Sequence, residues 1–456
     1  MIQRPRSLLR GTEPTPGLLR GVIDEFRRGH ERLSRLKQYY LAENDILSRA
    51  ARPALPNVRL PHAFARYIVT VSTGYLVGES VGYRAREEDA DALDRVLQAY
   101  KRMNAPAVDV ENARNASIYG RGVEIVTSLP GERLPRSFAL SPESAFVVYD
   151  DTPACQPLFG VYLSRAAKED GSPGPLSARV YTSKTASRWE LKGKGFEIME
   201  SVPHFFERVP MVEYWNDEHE KGDFEWVLPL IDAYDLLQSD RVNDKQQAAE
   251  KLLVLTGCAL DTDEQGRPPW LQLRMDKALC LPDGDAKAEY LSGHMDENGN
   301  EILKESPSRD IQKLSLVPDL SEKSFAGNLS GIALKYRLLG LEQLCFVKQQ
   351  WFTEGLKTRL KLFARALQVW DGVTFDAGNV EVSFTRSLPE NLNDTAELIK
   401  AASQAGAMST RTMVETLHRT ADWDEKEVES ESEMIQSETA DDESAAEKGG
   451  KHERRT

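Results

Sequence analysis

Apolar residues Leu18, Leu19, Val22, Ile23, Phe26, Leu33 and Leu36 recur at helical spacing and predict helix in the stretch 16–49. Thr15 and Pro16 precede it as an N-cap and first-turn pair. Its other face carries Arg20, Arg27, Arg28, Arg32, Arg35 and Lys37, which reads as a solvated face or as a contact for nucleic acid or an acidic partner. Residues 61–76 predict a mostly buried helix that Gly74 and Gly78 break. A short strand at 80–84 and helices at 89–101 and 108–119 follow, the last ending at Gly120.

Short β-patterned runs then take over, at 123–127, 145–149, 160–164, 178–183, 188–191 and 196–200. Turn residues such as Pro130-Gly131 and Lys192-Gly193-Lys194-Gly195 separate them, which makes the region α+β with an antiparallel sheet. From Val227 to Leu252 helical periodicity returns, with Asp232, Asp235, Asp240 and Asp244 between the apolar positions. Strands at 253–260 and 288–291, a polar turn at 295–301 and a helix at 302–314 come next. After a hydrophilic loop at 315–331, residues 332–370 predict the longest helix. Its buried stripe is read as Ile332, Tyr336, Leu339, Leu344, Val347, Trp351, Leu356, Leu360, Phe363 and Leu367, with bends at Gly340 and Gly355. A strand at 380–384 and helices at 395–405 and 410–418 complete the ordered part.

The chain of 456 residues is long enough for two to four domains, or one large elaborated fold, at about 100–200 residues each. With 29% charged and 40% hydrophobic residues it can bury a core. Seventy-two acids against 58 bases give a net charge of −14, which argues against a protein that grips duplex DNA over its whole surface. Residues 421–456 hold thirteen acids and five bases, and the part after Val428 is expected to be disordered. Cys155, Cys258, Cys280 and Cys345 form no CxxC pair and are expected as free thiols in a reducing cytoplasm. No apolar run reaches the roughly 20 residues of a membrane span, and the N-terminus lacks a signal-like apolar stretch. The protein is therefore expected to be made and used inside the cell.

Catalytic signatures are missing. There is no GxxxxGK[ST], no GxSxG and no HExxH. Asp261-Thr262-Asp263-Glu264-Gln265-Gly266 begins like a calcium loop, but Gln272 stands at position twelve and Pro268-Pro269 interrupts it. This turn and Asp296–Asn300 read as solvated turns, and no catalytic, metal or cofactor site is expected.

The order of several segments carries a resemblance. They are YYLAENDIL (Tyr39–Leu47), PNVRLPHAFARYIVTVSTGYLVGESVGY (Pro56–Tyr83), ASIYGRGVEIV (Ala116–Val126) and LSPESAFVVYDD (Leu140–Asp151). VPMVEYWND (Val209–Asp217), LPLIDAYDLLQSDRVNDKQQ (Leu228–Gln247), LVLTGCAL (Leu253–Leu260), VPDLSEKSFAGNLSGIALKYRL (Val317–Leu338) and VSFTRSLPENLND (Val382–Asp394) continue it. Over residues 35–425 the chain resembles the portal proteins of tailed bacteriophages, of the long-tailed siphophage type.

That resemblance implies an α+β portal fold of wing, helical stem, α/β clip, channel loop and helical crown, with a very long helix in the wing. It implies a wing at 1–225, stem helices at 226–252 and 301–316, and a clip at 253–300. The channel loop would be 317–331, the long wing helix and strand 332–394, the crown 395–420 and the acidic tail 421–456. The channel-loop residues would be Asp319, Ser321, Glu322, Lys323, Ser324 and Asn328, and the terminase-facing clip residues Asp261, Asp263, Arg267 and Trp270. It further implies a dodecameric ring at one capsid vertex of the virion, with no enzymatic activity. Its partners would be the terminase large subunit, a head-tail adaptor, major capsid and scaffolding proteins, and the double-stranded DNA that passes through. Another phage adaptor or capsid protein, or a metal-dependent nuclease using the acidic turns, are the alternatives.

Overall fold

A computed structural model describes residues 1–51, 56–167, 170–193, 195–249, 252–256, 287–291, 297–321, 331–386 and 399–405, with short pieces between 407 and 435. The chain opens with β1 (Ile2–Gln3) and the small hairpin β2 (Leu9–Arg10) and β3 (Glu13–Pro14). Thr15 then caps α1 (Pro16–Arg28), its hydroxyl accepting from Leu18 N at 3.2 Å. The helix stops at Gly29 and resumes as α2 (His30–Tyr40), so the predicted first helix is two, and neither reaches Arg49. Three of the six cations of its basic face, half exposed, pair with acids of other elements. Arg32 pairs with Glu225, Arg35 with Asp45 and Asp232, and Lys37 with Glu143.

Next come α3 (Phe64–Val77), β4 (Gly82–Arg84), α4 (Ala90–Met103) and α5 (Ala105–Tyr119). Contrary to expectation, α3 runs through Gly74 and ends at Gly78. Helix α5 ends at Gly120, whose φ of +89° and approach to the Glu220 backbone admit no Cβ.

The strands are β5 (Arg121–Thr127), β6 (Arg136–Leu140), β7 (Ala145–Tyr149), β8 (Pro157–Ala167), β9 (Pro173–Tyr181), β10 (Thr185–Lys192), β11 (Gly195–Pro203) and β12 (Met211–Trp215). Six make a sheet in the order β1-β7-β8-β9-β10-β11, with β1 parallel to β7 and the others antiparallel. A second sheet has the order β12-β5-β6. Strand β7 lies between two apolar layers. Phe146 and Val148 face the main core, where Phe146 stacks on Phe26 of α1, while Ala145 and Val147 join Val123, Ile125 and Met211 in a smaller core. Strands β6 and β12 were not expected from the pattern.

Helix α6 (Leu228–Ala249) is followed by the hairpin β13 (Leu252–Thr256) and β14 (Lys287–Leu291), then α7 (Glu297–Ser315). The start of α7 corrects the reading of 295–301 as a turn and of the helix as beginning at Ile302. Helices α8 (Gly331–Arg337) and α9 (Leu339–Asp371) replace the predicted single helix, and β15 (Glu381–Ser383) pairs with β4. The break falls at Leu338. At Gly355 the 33-residue helix continues, because a Cβ there would stand 2.4 Å from the Tyr214 ring and only glycine allows that approach. The residues expected as crown and acidic tail lie mostly outside the described ones.

Helix α6 is fastened to the body by an extended strand of backbone laid along it. Val58 N donates to Asn243 Oδ1 (2.7 Å), Leu60 N to Ser239 Oγ (3.0 Å) and His62 N to Asp235 Oδ1 (2.9 Å). Two extended residues rise about 6.6 Å and four helical residues about 6 Å, so alternate amides meet every fourth side chain. Asp235 and Ser239 are fully buried, and Asn44 Nδ2 also donates to Asp235 Oδ2 at 2.6 Å. Replacing Asp235 by Ala leaves the His62 amide without its acceptor and removes one of the two acceptors of the Asn44 amide group, the other being His62 O at 3.1 Å. The expected loss is about 2–4 kcal/mol of unfolding free energy, measured by urea titration. A loss below about 0.5 kcal/mol would show that the strand is held by other contacts.

Candidate functional site

The segment singled out from sequence, 317–331, is described at its two ends. Helix α7 stops where Leu316 takes a left-handed φ of +60°. Val317 is buried, and its amide donates to Ser315 Oγ at 3.4 Å. Asp319 Oδ1 accepts from both the amide (2.9 Å) and the hydroxyl (2.6 Å) of Ser321, so these two predicted residues make a local turn. Between them the backbone meets Tyr67 of α3. The Tyr67 hydroxyl donates to Pro318 O and accepts from Leu320 N, both at 2.8 Å. Burial, with Asp319 nearby, pushes this phenol above its ordinary pKa against the pull of the Leu320 amide, so it stays a neutral hydroxyl. Glu322, Lys323, Ser324 and Asn328 lie outside the described residues, as do Asp261, Asp263, Arg267 and Trp270. Sequence reasoning passed over Tyr67 because a phenol in an apolar helix carries no motif.

Behind this segment, α9 buries two cations. Its inward stripe is Leu341, Cys345, Lys348, Phe352, Leu356, Arg359, Phe363 and Leu367. Lys348 Nζ lies 2.6 Å from Asp223 Oδ2 and 2.6 Å from Ser117 Oγ. Asp223 also accepts from Ser72 of α3 (2.5 Å) and Asn216 (2.8 Å). Three turns on, Arg359 Nη1 meets Asp109 Oδ1 at 2.6 Å and Glu124 Oε2 at 3.5 Å, while Nη2 meets the Tyr83 hydroxyl at 3.0 Å. Asn112 and Tyr214 both donate to Glu124 Oε2, at 2.7 and 2.9 Å. The guanidinium also lies 4.7 Å from the centre of the Tyr100 ring. Burial raises the Glu124 pKa, opposed by Arg359. Burial works against the charge of Arg359, but Asp109 and the surrounding oxygens hold its pKa well above the ordinary value. Arg359, Asp109 and Glu124 of this second cluster are thus enclosed together, with partners from α5, β4, β5 and β12.

These clusters are frameworks for position. Among the described residues, no group of three or more His, Cys, Asp or Glu side chains is placed to hold a metal ion. Cys345 is buried under Ser72, with its thiol pushed up to about 12 by desolvation, so it is a poor nucleophile. No described helix is long and apolar enough to cross a membrane.

Two consequences can be measured. Replacing Lys348 by Met strands Asp223 in the core and is expected to cost about 3–5 kcal/mol. Adding Asp223→Asn should recover part of that loss, and strict additivity in the double-mutant cycle would deny the pairing. In alkali, burial raises Tyr83 to about 12, while an unfolded phenol ionises near 10. The raised folded value gives stability that is complete below about pH 10 and lost as pH climbs through about 12. Tyrosinate absorbance from the buried phenols should therefore rise together with the loss of circular dichroism. Their ionisation in a chain whose dichroism is intact would contradict the burial.

Comparison with known proteins adds a lineage. A family profile described as "Phage portal protein, SPP1 Gp6-like" matches residues 20–444. The portal protein of Bacillus phage SPP1 is 24% identical over 436 residues, covering 88% of this chain and 83% of that protein. The portal protein of Clostridium phage phiCD119 is 22% identical over 212 residues, covering 46% of this chain and 45% of that one.

Proposed function

The chain belongs to the SPP1 Gp6-like phage portal proteins, and from that premise we propose that it assembles as a ring at one vertex of the phage head. In this reading the ring has twelve copies, conducts double-stranded DNA during packaging and ejection, receives the terminase large subunit and joins head to tail through an adaptor. Major capsid and scaffolding proteins surround it in the virion, and the subunit acts as a structural part. The single observation that carries the proposal is the family match across residues 20–444. It favours the portal over another adaptor or capsid protein and over a nuclease.

The division of the chain follows the same proposal. Residues 1–225 form the wing, α6 and α7 the stem, 253–300 the clip apart from the first turn of α7, 317–331 the channel loop, 332–394 the long wing helix with its strand, and 395–420 the crown. Exposed apolar side chains support assembly. Tyr336 is 75% exposed, and on α9 Leu339, Phe346 and Val347 are 50%, 57% and 48% exposed. Large side chains left this open on one helical segment gain from cover by a neighbouring copy.

The charge balance suits a conduit. Each phosphate neutralised by Lys or Arg adds affinity by releasing counterions, so a strongly basic lining would hold DNA back. The channel loop offers Asp319 and Glu322 against Lys323, and a ring repeats that ratio around the axis. Purified protein is expected to show rings in negative stain and a mass of many subunits by sedimentation. Rings carrying Lys323→Glu should assemble normally but package or retain DNA differently. A strict monomer across protein concentrations and salts would overturn the ring, and loop-deleted rings that package and retain DNA like wild type would overturn the channel assignment.

A further inference from the structure

We infer that Tyr67 is a positioning residue for the channel loop: its hydroxyl fixes where the chain leaves the body of the subunit on the way into that loop. The inference rests on the proposed reading of 317–331 as channel-lining.

The polar contacts around the root of the loop differ in what they can hold. The bonds from Val317 N to Ser315 Oγ and from Ser321 to Asp319 Oδ1 span two residues. They fix the shape of the turn and say nothing about its place. The two bonds of Tyr67 bridge about 250 residues of sequence and tie that turn to α3. One oxygen performs both, donating to a carbonyl and accepting from an amide two residues further on. A hydroxyl alone can do this with a single atom, which separates Tyr67 from Phe at the same place. Pro318 has no amide of its own, so its carbonyl is its only backbone hydrogen-bonding group, and Tyr67 takes it.

Helix α3 is itself held rigidly on its far side. Ser72 donates to Asp223 at 2.5 Å, within the Lys348 cluster, and the Tyr75 hydroxyl donates to Glu342 of α9 at 2.7 Å. Leu316, at the root of the loop, lies over Gly340 of α9. The root is therefore referred to the same frame as the long helix, and the Tyr67 hydroxyl is the polar link between them.

The test is Tyr67→Phe in the full-length assembled ring, with Tyr149→Phe, whose hydroxyl meets Glu213 away from α3, as the control. Hydrogen exchange at the Leu320 amide should accelerate at least about tenfold in Tyr67→Phe, since a protecting acceptor is gone. It should be unchanged in Tyr149→Phe, and exchange along 339–371 should match wild type in Tyr67→Phe. DNA packaged or retained by Tyr67→Phe rings should fall severalfold. Unchanged exchange at Leu320 would overturn the inference, because the hydroxyl would not be holding the root. Acceleration spread through α3 and α9 would overturn it too, by making Tyr67 a general core residue. Faster exchange at Leu320 with wild-type packaging would likewise overturn the positioning role, and the loop-deleted rings then report separately whether the channel reading stands.

Discussion

Two cations that have no access to water, Lys348 and Arg359, govern the arrangement of the described fold. Eleven residues separate them, about three helical turns, so both face the same way from α9. A buried charge without a partner is prohibitive, so each must be met by acids at fixed positions. Asp223, Asp109 and Glu124 answer from three separate parts of the chain; Asp223 also accepts from Ser72 and Asn216, and Glu124 from Asn112 and Tyr214. An apolar stripe alone would let a long helix slip by a turn with modest loss. Two charges at a set separation admit one register, whatever their net contribution to stability.

That register reaches the root of the loop. With Lys348 fixed on Asp223, Glu342 lies under the Tyr75 hydroxyl and Gly340 under Leu316. Helix α3 is bonded to the same frame at Ser72 and presents Tyr67 to Pro318 and Leu320. Polar bonds join the buried lysine to α3 at Ser72 and join α3 at Tyr67 to Pro318 and Leu320, and the helix itself connects the two ends. This linkage gives a physical basis for a subunit whose long helix and loop root keep a constant relation.

What was legible in the sequence follows from how each element hides its polar groups. Strands β7 to β11 announce themselves by short β-patterned runs, with Gly171 and Gly193 in two of the turns between them, although β7 is buried on both faces and does not alternate. Strand β12 does not, since Glu213 sits buried in its middle, accepting from the Val147 amide and the Tyr149 hydroxyl. Strand β6 reverses the usual pattern, with Ser137 buried and Phe138 exposed. The same effect misdirected the first half of α9. Apolar periodicity chose Leu339 and Val347, which face solvent, because the true inward stripe passes through Lys348. Buried charges are thus the places where pattern reading fails and where the fold is most specific. At the candidate site, Asp319 and Ser321, expected as channel-loop residues, make the local turn that follows α7. Tyr67 was not expected, because its partners are remote in sequence and its role depends on one oxygen atom.

Charge pairing inside the subunit also bears on how such a subunit meets DNA. The basic face of α1 and α2 read as a solvated face or as a contact for nucleic acid or an acidic partner; on α2, Arg32, Arg35 and Lys37 are engaged with Glu225, Asp45, Asp232 and Glu143. A guanidinium already facing a carboxylate must give that partner up to bind a phosphate, which weakens the gain from counterion release. Together with the net charge of −14, this turns part of the basic content toward the subunit's own acids. In the proposed conduit duplex DNA must slide past, so low affinity would serve that role, and cations of α2 already paired within the subunit act in that direction.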